Sequence, residues 1–313
     1  MARWKAIHRL VVKLSEKSYK IPPQLFLRGV HVNGGNDPYS AGGYIGGGGF
    51  ADVYRGSFQG KEVAVKRLRV FSPEAMAPAD RSATKRRFGR EVNLWYSMKH
   101  DNVLPFIGVD VERFAPSMAM VSPWMANGTL LSYLTSTSPS STEVIRLLYE
   151  SAQGLAFVHS WNVVHGDLRG SNILIDDGYH ARIADFGLAV FADASIQTHT
   201  KSDDGTQRWM APELLAPDVC GYTRFQRTTM TDVYAFGCVC LEVWNQEPPF
   251  SELETTDFFV AMLTKTIKIN RPTLMAMDNN LWSLVRRCLS FQADQRPDMA
   301  DVVAYMVAEV GVS

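Results

Sequence analysis

Between Tyr44 and Lys66 the chain reads as strand, glycine-rich turn, strand, a turn at Gln59-Gly60 and strand, and Glu62-Val63-Ala64-Val65-Lys66 alternates polar and apolar residues with period two. This pattern predicts an antiparallel meander. After Pro22-Pro23, the apolar stretch 25–32 predicts a further strand, and 33–43 is a polar, glycine-rich connector. Residues 72–81, with Pro73 and Pro78, are expected to break regular structure. Beyond them Phe88, Glu91, Trp95 and Met98 fall on one face of a predicted helix. Strands are expected at 103–109 and 118–122, and the character turns helical after Asn127-Gly128. Ser140 and Glu143 fit a capping box opening a long helix whose Ile145, Leu148, Ala152 and Leu155 share a face. Residues 173–175 and 182–184 read as strands paired across a turn at 176–178. The segment 233–244 is apolar on nearly every side, which predicts a buried helix.

Composition narrows the class without naming it. At 313 residues, 46% hydrophobic and 20% charged, the chain can bury a large core in one large or two tightly joined domains. A formal charge of zero gives no support to nucleic-acid binding as its main business. Cys220, Cys238, Cys240 and Cys288 lack Cys-x-x-Cys spacing and sit in apolar surroundings, so they are expected to be reduced core residues in a reducing, cytoplasmic compartment. No apolar run is long enough to span a bilayer, and no uninterrupted secretory core opens the sequence. Residues 1–20 carry Arg3, Lys5, Arg9, Lys13, Lys17 and Lys20 against Glu16, with Trp4, Ile7, Val11 and Leu14 at helical spacing. This basic amphipathic helix is expected to pack on its own domain or to be solvated, with contact to an anionic membrane surface or a partner as the alternative.

The chemistry-bearing residues cluster at a few places. Gly46, Gly47, Gly48 and Gly49 sit between two strands, where backbone N–H groups can approach a polyphosphate. No Gly-Lys-Ser/Thr follows; the lysine comes on the third strand, at Lys66. Further on lies His165-Gly166-Asp167-Leu168-Arg169-Gly170-Ser171-Asn172, followed by Asp185-Phe186-Gly187. The predicted hairpin brings Asp167, Asn172 and Asp185 close together. Two acids and an amide on its rim suit a magnesium ion and a proton acceptor.

In this order, over roughly residues 40–310, the motifs resemble those of the eukaryotic protein kinases, and of the serine/threonine type in the tyrosine-kinase-like group. The resemblance implies an α+β, two-lobed fold: a small antiparallel β N-lobe with one regulatory helix over 39–125, a larger helical C-lobe over 126–310, and an extension over 1–38. It implies ATP bound between the lobes, with Mg2+, and phosphoryl transfer to protein substrates. The glycine loop, through Gly46 and Gly48, with Val53 and Ala64, would cover the nucleotide; Lys66 would hold its α- and β-phosphates and pair with Glu91. Ser122 would be the gatekeeper of a hinge in which Pro123 contributes a carbonyl and Met125 both N–H and C=O. Asp167 would be the proton acceptor, Arg169 a neutraliser of phosphoryl charge, and Asn172 and Asp185 the magnesium ligands. The stretch 188–208 would be an activation loop, and Thr206 with Trp209-Met210-Ala211-Pro212-Glu213 points to serine or threonine acceptors. Glu213 would pair with Arg296, and Asp232 would brace the catalytic loop.

The sequence departs from the family pattern at three positions. Gly166 replaces the arginine that receives an activation-loop phosphate, so a phosphate on Ser195, Thr198, Thr200 or Ser202 is expected to matter little. Ala51 replaces the third loop glycine, and Trp95 is larger than the aliphatic residue expected one turn past Glu91. A pseudokinase scaffold, a tyrosine or dual-specificity kinase, and a small-molecule phosphotransferase are the rival readings.

Overall fold

Residues 21–34, 43–47, 51–68, 78–115, 117–192, 206–274 and 277–312 are described by a computed structural model. The basic segment 1–20, Gly48, and Ser195, Thr198, Thr200 and Ser202 lie outside them. The described residues up to His100, with Leu104–Met125, form one compact unit; Asp101–Val103 and the described residues from Ala126 onward form a second.

In the first unit, β1 (Phe26–Leu27), β2 (His31–Val32), β3 (Tyr44–Gly47), β4 (Ala51–Phe58), β5 (Lys61–Leu68), β6 (Gly108–Asp110) and β7 (Ala119–Pro123) form a sheet in the order β1-β6-β7-β5-β4-β2, with β3 also on β4. The meander expected over β3, β4 and β5 is present and antiparallel. Its period-two pattern sorts side chains by face. Tyr54, Val63, Val65 and Val121 meet Val30, Val32 and Phe114 in a buried apolar cluster. The opposite face carries Val53 across from Lys66, and Ala64 across from Ser122. One face of the sheet thus builds the apolar core, and the other carries Val53, Ala64, Lys66 and Ser122.

The helix Pro78–Ser97 buries Phe88, Glu91, Trp95 and, just past its end, Met98, as the spacing predicts. It starts inside the stretch expected to be irregular, because proline is tolerated in a helix's first turn, where its missing N–H has no intrahelical partner. Three strand expectations need correction. The stretch 25–32 holds two short strands separated by Gly29, whose φ of +78° interrupts an extended chain. Within 103–109 only 108 and 109 are in a strand, β6, since Pro105 cannot donate to a ladder; Val103 makes an isolated bridge to Ile183 instead. The strand expected at 118–122 runs from Ala119 to Pro123.

The second unit is mainly helical. The helix Ser141–Ser160 is capped by the Ser140 hydroxyl, which accepts the Glu143 N–H, but the Glu143 carboxylate accepts from the Tyr133 hydroxyl at 2.7 Å. The expected box is therefore half realised. The full reciprocal box occurs at Thr228 and Thr231, opening the helix Thr229–Asn245, in which every residue from Thr231 to Trp244 is buried. Two short antiparallel pairs flank the segments that carry Asp167, Asn172 and Asp185: β8 (Val163–Val164) with β11 (Val190–Phe191), and β9 (Ile173–Ile175) with β10 (Ala181–Ile183). The second hairpin strand begins one residue earlier than the sequence suggests. Cys238, Cys240 and Cys288 are core residues, whereas Cys220, in a short helical turn, is only half-buried. No helix among the described residues is long and apolar enough to cross a membrane.

Candidate active site

In the first unit, β5 and the Pro78–Ser97 helix bring Lys66 and Glu91 into an ion pair, Nζ to Oε1 at 2.9 Å. Glu91 is 2% exposed and its other oxygen, Oε2, is buried with no hydrogen-bond partner among the described residues. A charge in that position is stable only because the lysine is held against it. Trp95, one turn on, donates its indole N–H to the Leu104 carbonyl at 2.6 Å and meets the Phe106 ring at a tilt of 53°, with centroids 5.1 Å apart. The bulky residue anchors the helix that presents Glu91. On the same sheet face lie Val53, Ala64 and buried Ser122, with Gly46 opposite Val53 in the β3–β4 register.

The second unit builds its site around Asp232. This buried carboxylate accepts the His165 N–H at 2.7 Å and the Gly166 N–H at 2.9 Å, and His159 Nε2 lies 2.9 Å away. His165 donates Nε2–H to the Ala184 carbonyl, which leaves Nδ1 to accept the Asp167 N–H at 3.3 Å. Its ring meets Phe186 edge-on at 5.3 Å. One histidine therefore ties the loop carrying Asp167 to the turn carrying Asp185. Asp185 has a φ of +65°, a conformation that aspartate tolerates better than most residues, and its Oδ1 accepts the Gly187 N–H at 3.1 Å.

Asn172 donates its amide to the Asp167 carbonyl at 2.7 Å and to Asp167 Oδ2 at 3.2 Å. Both donor bonds point back at Asp167, so the amide oxygen of Asn172 is available as a ligand. Asp167 Oδ1 is buried and has no partner among the described residues. Burial first, and the Asp185 charge second, push the Asp167 carboxyl above its ordinary range. A basic carboxylate oxygen kept out of water is suited to taking a proton from an approaching hydroxyl. The carboxylate of Asp185 and the amide oxygen of Asn172 are hard oxygen donors of the kind that magnesium takes, an ion that needs few protein ligands because it keeps several waters and substrate oxygens.

A family model for the protein tyrosine and serine/threonine kinases matches residues 40–306. The chain belongs to that family. Among its relatives, a serine/threonine/tyrosine-protein kinase, HT1, of Arabidopsis thaliana is 31% identical over 258 residues, covering 81% of this chain and 62% of its own. A putative L-type lectin-domain containing receptor kinase, I.4, of the same plant is 31% identical over 84% of this chain and 39% of its own, and the serine/threonine-protein kinase STY46 is 27% identical over 83% and 42%. The chain thus spans less than two thirds of these relatives' lengths.

Within this kinase domain the residues expected at the nucleotide and catalytic positions fall into two sets. Val53, Ala64, Lys66, Glu91 and Ser122 share one set in the first unit, and Met125 ends that unit, buried. Asp167, Arg169, Asn172 and Asp185 form the other. Arg169 lies over the Trp209 ring at 5.1 Å and donates to Thr206 Oγ1 at 3.3 Å. The expected pair of Glu213 and Arg296 is bidentate, at 2.6 and 2.8 Å, with the Arg296 side chain wholly buried.

Two residues at this site escaped the sequence reading. Glu242 accepts bonds from both the catalytic loop and Trp209; the signal that could have found it is a single acid in the apolar run 233–244. Arg227 packs against Gly166 and over Phe225 at 5.0 Å, and an arginine in a polar loop gives no such signal.

Proposed function

We propose that this chain is an ATP-dependent protein kinase that transfers the γ-phosphoryl group to serine or threonine hydroxyls of proteins, with little dependence on activation-loop phosphorylation. The observation carrying this reading is the buried, unpartnered Oδ1 of Asp167, whose companion oxygen is fixed by Asn172. Magnesium, held by Asn172 and Asp185, would neutralise and orient the phosphates of ATP. Lys66, oriented by its ion pair with Glu91, would hold the α- and β-phosphates. Asp167 would take the proton of the substrate hydroxyl as its oxygen bonds to the γ-phosphorus and the bridging bond to ADP breaks. Arg169, hydrogen-bonded to Thr206, would neutralise charge on the group in transfer, the kind of role for which losing one stabilising donor costs about two to three orders of magnitude in rate.

Two features support independence from a phosphate switch. Position 166 carries no side chain to receive a phosphate. The Lys66–Glu91 pair is formed, with Trp95 fastening its helix. Retention of Lys66, Glu91, Asp167, Asn172 and Asp185 disfavours a scaffold without catalysis. The similarity to HT1, named a serine/threonine/tyrosine-protein kinase, keeps tyrosine among the acceptors to be examined.

The test is transfer from radiolabelled ATP with magnesium to generic protein substrates, beside the Asp167→Asn variant, followed by phosphoamino-acid analysis. Label on serine or threonine supports the reading; label on tyrosine alone changes the acceptor, and no label above the variant overturns catalysis. Equal rates for phosphatase-treated and autophosphorylated enzyme are expected, and a large loss on dephosphorylation contradicts the regulatory part.

A further inference from the structure

Glu242 lies deep in the Thr229–Asn245 helix, 3% exposed, where a carboxylate needs a reason to be. A single oxygen, Oε2, accepts two bonds: the Gly170 backbone N–H at 2.8 Å and the Trp209 indole N–H at 2.9 Å. Gly170 stands between Arg169 and Asn172 in the catalytic loop, and Trp209 lies just beyond Thr206. The approach is close. A Cβ on residue 170 would come within 3.0 Å of Oε2 and 2.9 Å of Leu131 Cγ, so glycine is what lets the carboxylate reach the loop backbone.

Trp209, held by its N–H, presents its ring to the Arg169 guanidinium at 5.1 Å. Arg169 Nε is buried with no hydrogen-bond partner among the described residues, and Nη1 makes only the 3.3 Å bond to Thr206. Among the described residues no carboxylate is within ion-pair distance of this guanidinium; the ring beneath it and the hydroxyl beside it hold it at close range, and the charges of Asp167 and Glu242 act on it from farther off. We propose that Glu242 is a positioning residue for phosphoryl transfer: by gripping Gly170 and Trp209 through one oxygen it fixes Arg169, and with it the approach of the acceptor hydroxyl. The inference rests on the kinase reading above, in which Arg169 neutralises the transferring group. It differs from the brace at Asp232, which holds His165 and Gly166, by acting on the other side of Asp167.

Because both bonds end on Oε2, an amide oxygen can replace it. Glu242→Gln is therefore expected to keep most of the rate, within about threefold, whereas Glu242→Leu, of similar bulk, leaves two buried N–H donors unmet and loses about tenfold or more in kcat. The KM for ATP should stay within about twofold, since a group felt only during transfer lowers kcat and not substrate binding. In an Arg169→Ala background Glu242→Leu should cost little more, because its effect passes through Arg169. Additive losses in that background, or Glu242→Leu at the parent rate, overturn the proposal. Should Glu242→Leu fail to fold, Trp209→Phe, which keeps the ring and removes the N–H, is expected to show a smaller fall in kcat with the same KM, and an unchanged kcat counts against the idea. Amide exchange at Gly170 provides a readout that needs no activity. It should accelerate in Glu242→Leu and not in Glu242→Gln, even if the parent chain transfers no phosphoryl group; equal exchange in both variants sinks the positioning role, whereas absent transfer with the expected exchange sinks only the kinase reading.

Discussion

Arg227 packs against Gly166 so closely that a Cβ on residue 166 would stand 2.8 Å from Arg227 Cδ and 3.0 Å from the Leu188 carbonyl oxygen, and Gly166 holds a φ of +80°. The family's missing arginine is therefore not an empty place that a substitution can refill. Gly166→Arg is expected to lower stability by about 1–3 kcal/mol, from left-handed backbone strain and the contact with Arg227. Arg227→Ala should relieve part of that cost, so the double variant loses less than the sum of the singles. Chemical denaturation of the four proteins measures it, and strict additivity would show that the two positions do not compete.

Asp167 predicts a trade between activity and stability. Burial and the neighbouring Asp185 raise its carboxyl above the ordinary aspartate value of 3.8, so the folded chain binds this proton more tightly than the unfolded chain does. The contribution is most favourable below the unfolded value and is lost as pH rises through the folded one. Asp167→Asn, neutral at every pH, is expected to melt higher than the parent at neutral pH with chelator present, and to lose that advantage in acid. It should also abolish transfer. A lower melting temperature at neutral pH would remove the claim that the charged carboxylate is held at a cost.

Trp95 predicts a coupling between packing and nucleotide handling. Trp95→Phe keeps the ring beside Phe106 but strands the Leu104 carbonyl, which the indole N–H reaches at 2.6 Å. An unmet buried acceptor costs about 1–3 kcal/mol. The expected outcome is that loss in denaturant unfolding together with a higher KM for ATP, as the helix presenting Glu91 to Lys66 loosens. Unchanged KM alongside the stability loss would confine Trp95 to packing.

The thiols give a prediction with no kinase chemistry in it. Burial holds the Cys288 thiol up to about 12 and puts Cys238 and Cys240 well above their ordinary value, so almost no thiolate is present at neutral pH. Cys220 is raised less and is only half-buried. Alkylation of the folded protein, read by intact mass, should add one label slowly, at Cys220; unfolding should expose all four cysteines. Rapid labelling of Cys238 or Cys240 in the folded state would mean that the helix Thr229–Asn245 opens locally, and rapid labelling of Cys288 that the helix Asn279–Cys288 does.

Local pattern was enough for much of this protein. Period two placed the β4–β5 meander and separated Val63 and Val65 from Ala64 and Lys66, because successive side chains on a strand must face opposite ways. Helical spacing put Phe88, Glu91, Trp95 and Met98 on a buried face, and the motifs from Lys66 to Arg296 pointed to the family to which the chain belongs. The weak places were those where a competing backbone demand overrides the pattern. Gly29 splits one expected strand, Pro105 shortens another, and Pro78 starts a helix where breaking was expected.

Tertiary structure alone decided which polar groups share an atom. Glu242 is one acid in an apolar run until folding lays Gly170 and Trp209, 72 and 33 residues away, against the same oxygen. Gly166 looks like a lost side chain until Arg227 is seen filling the space beside it. Sequence determined the residues and the alternation that buries them, since those follow from geometry repeated along a few residues. The long-range contacts around Gly166 and Gly170 depend on where separate elements pack, and a buried carboxylate finds its donors only once that packing has excluded water.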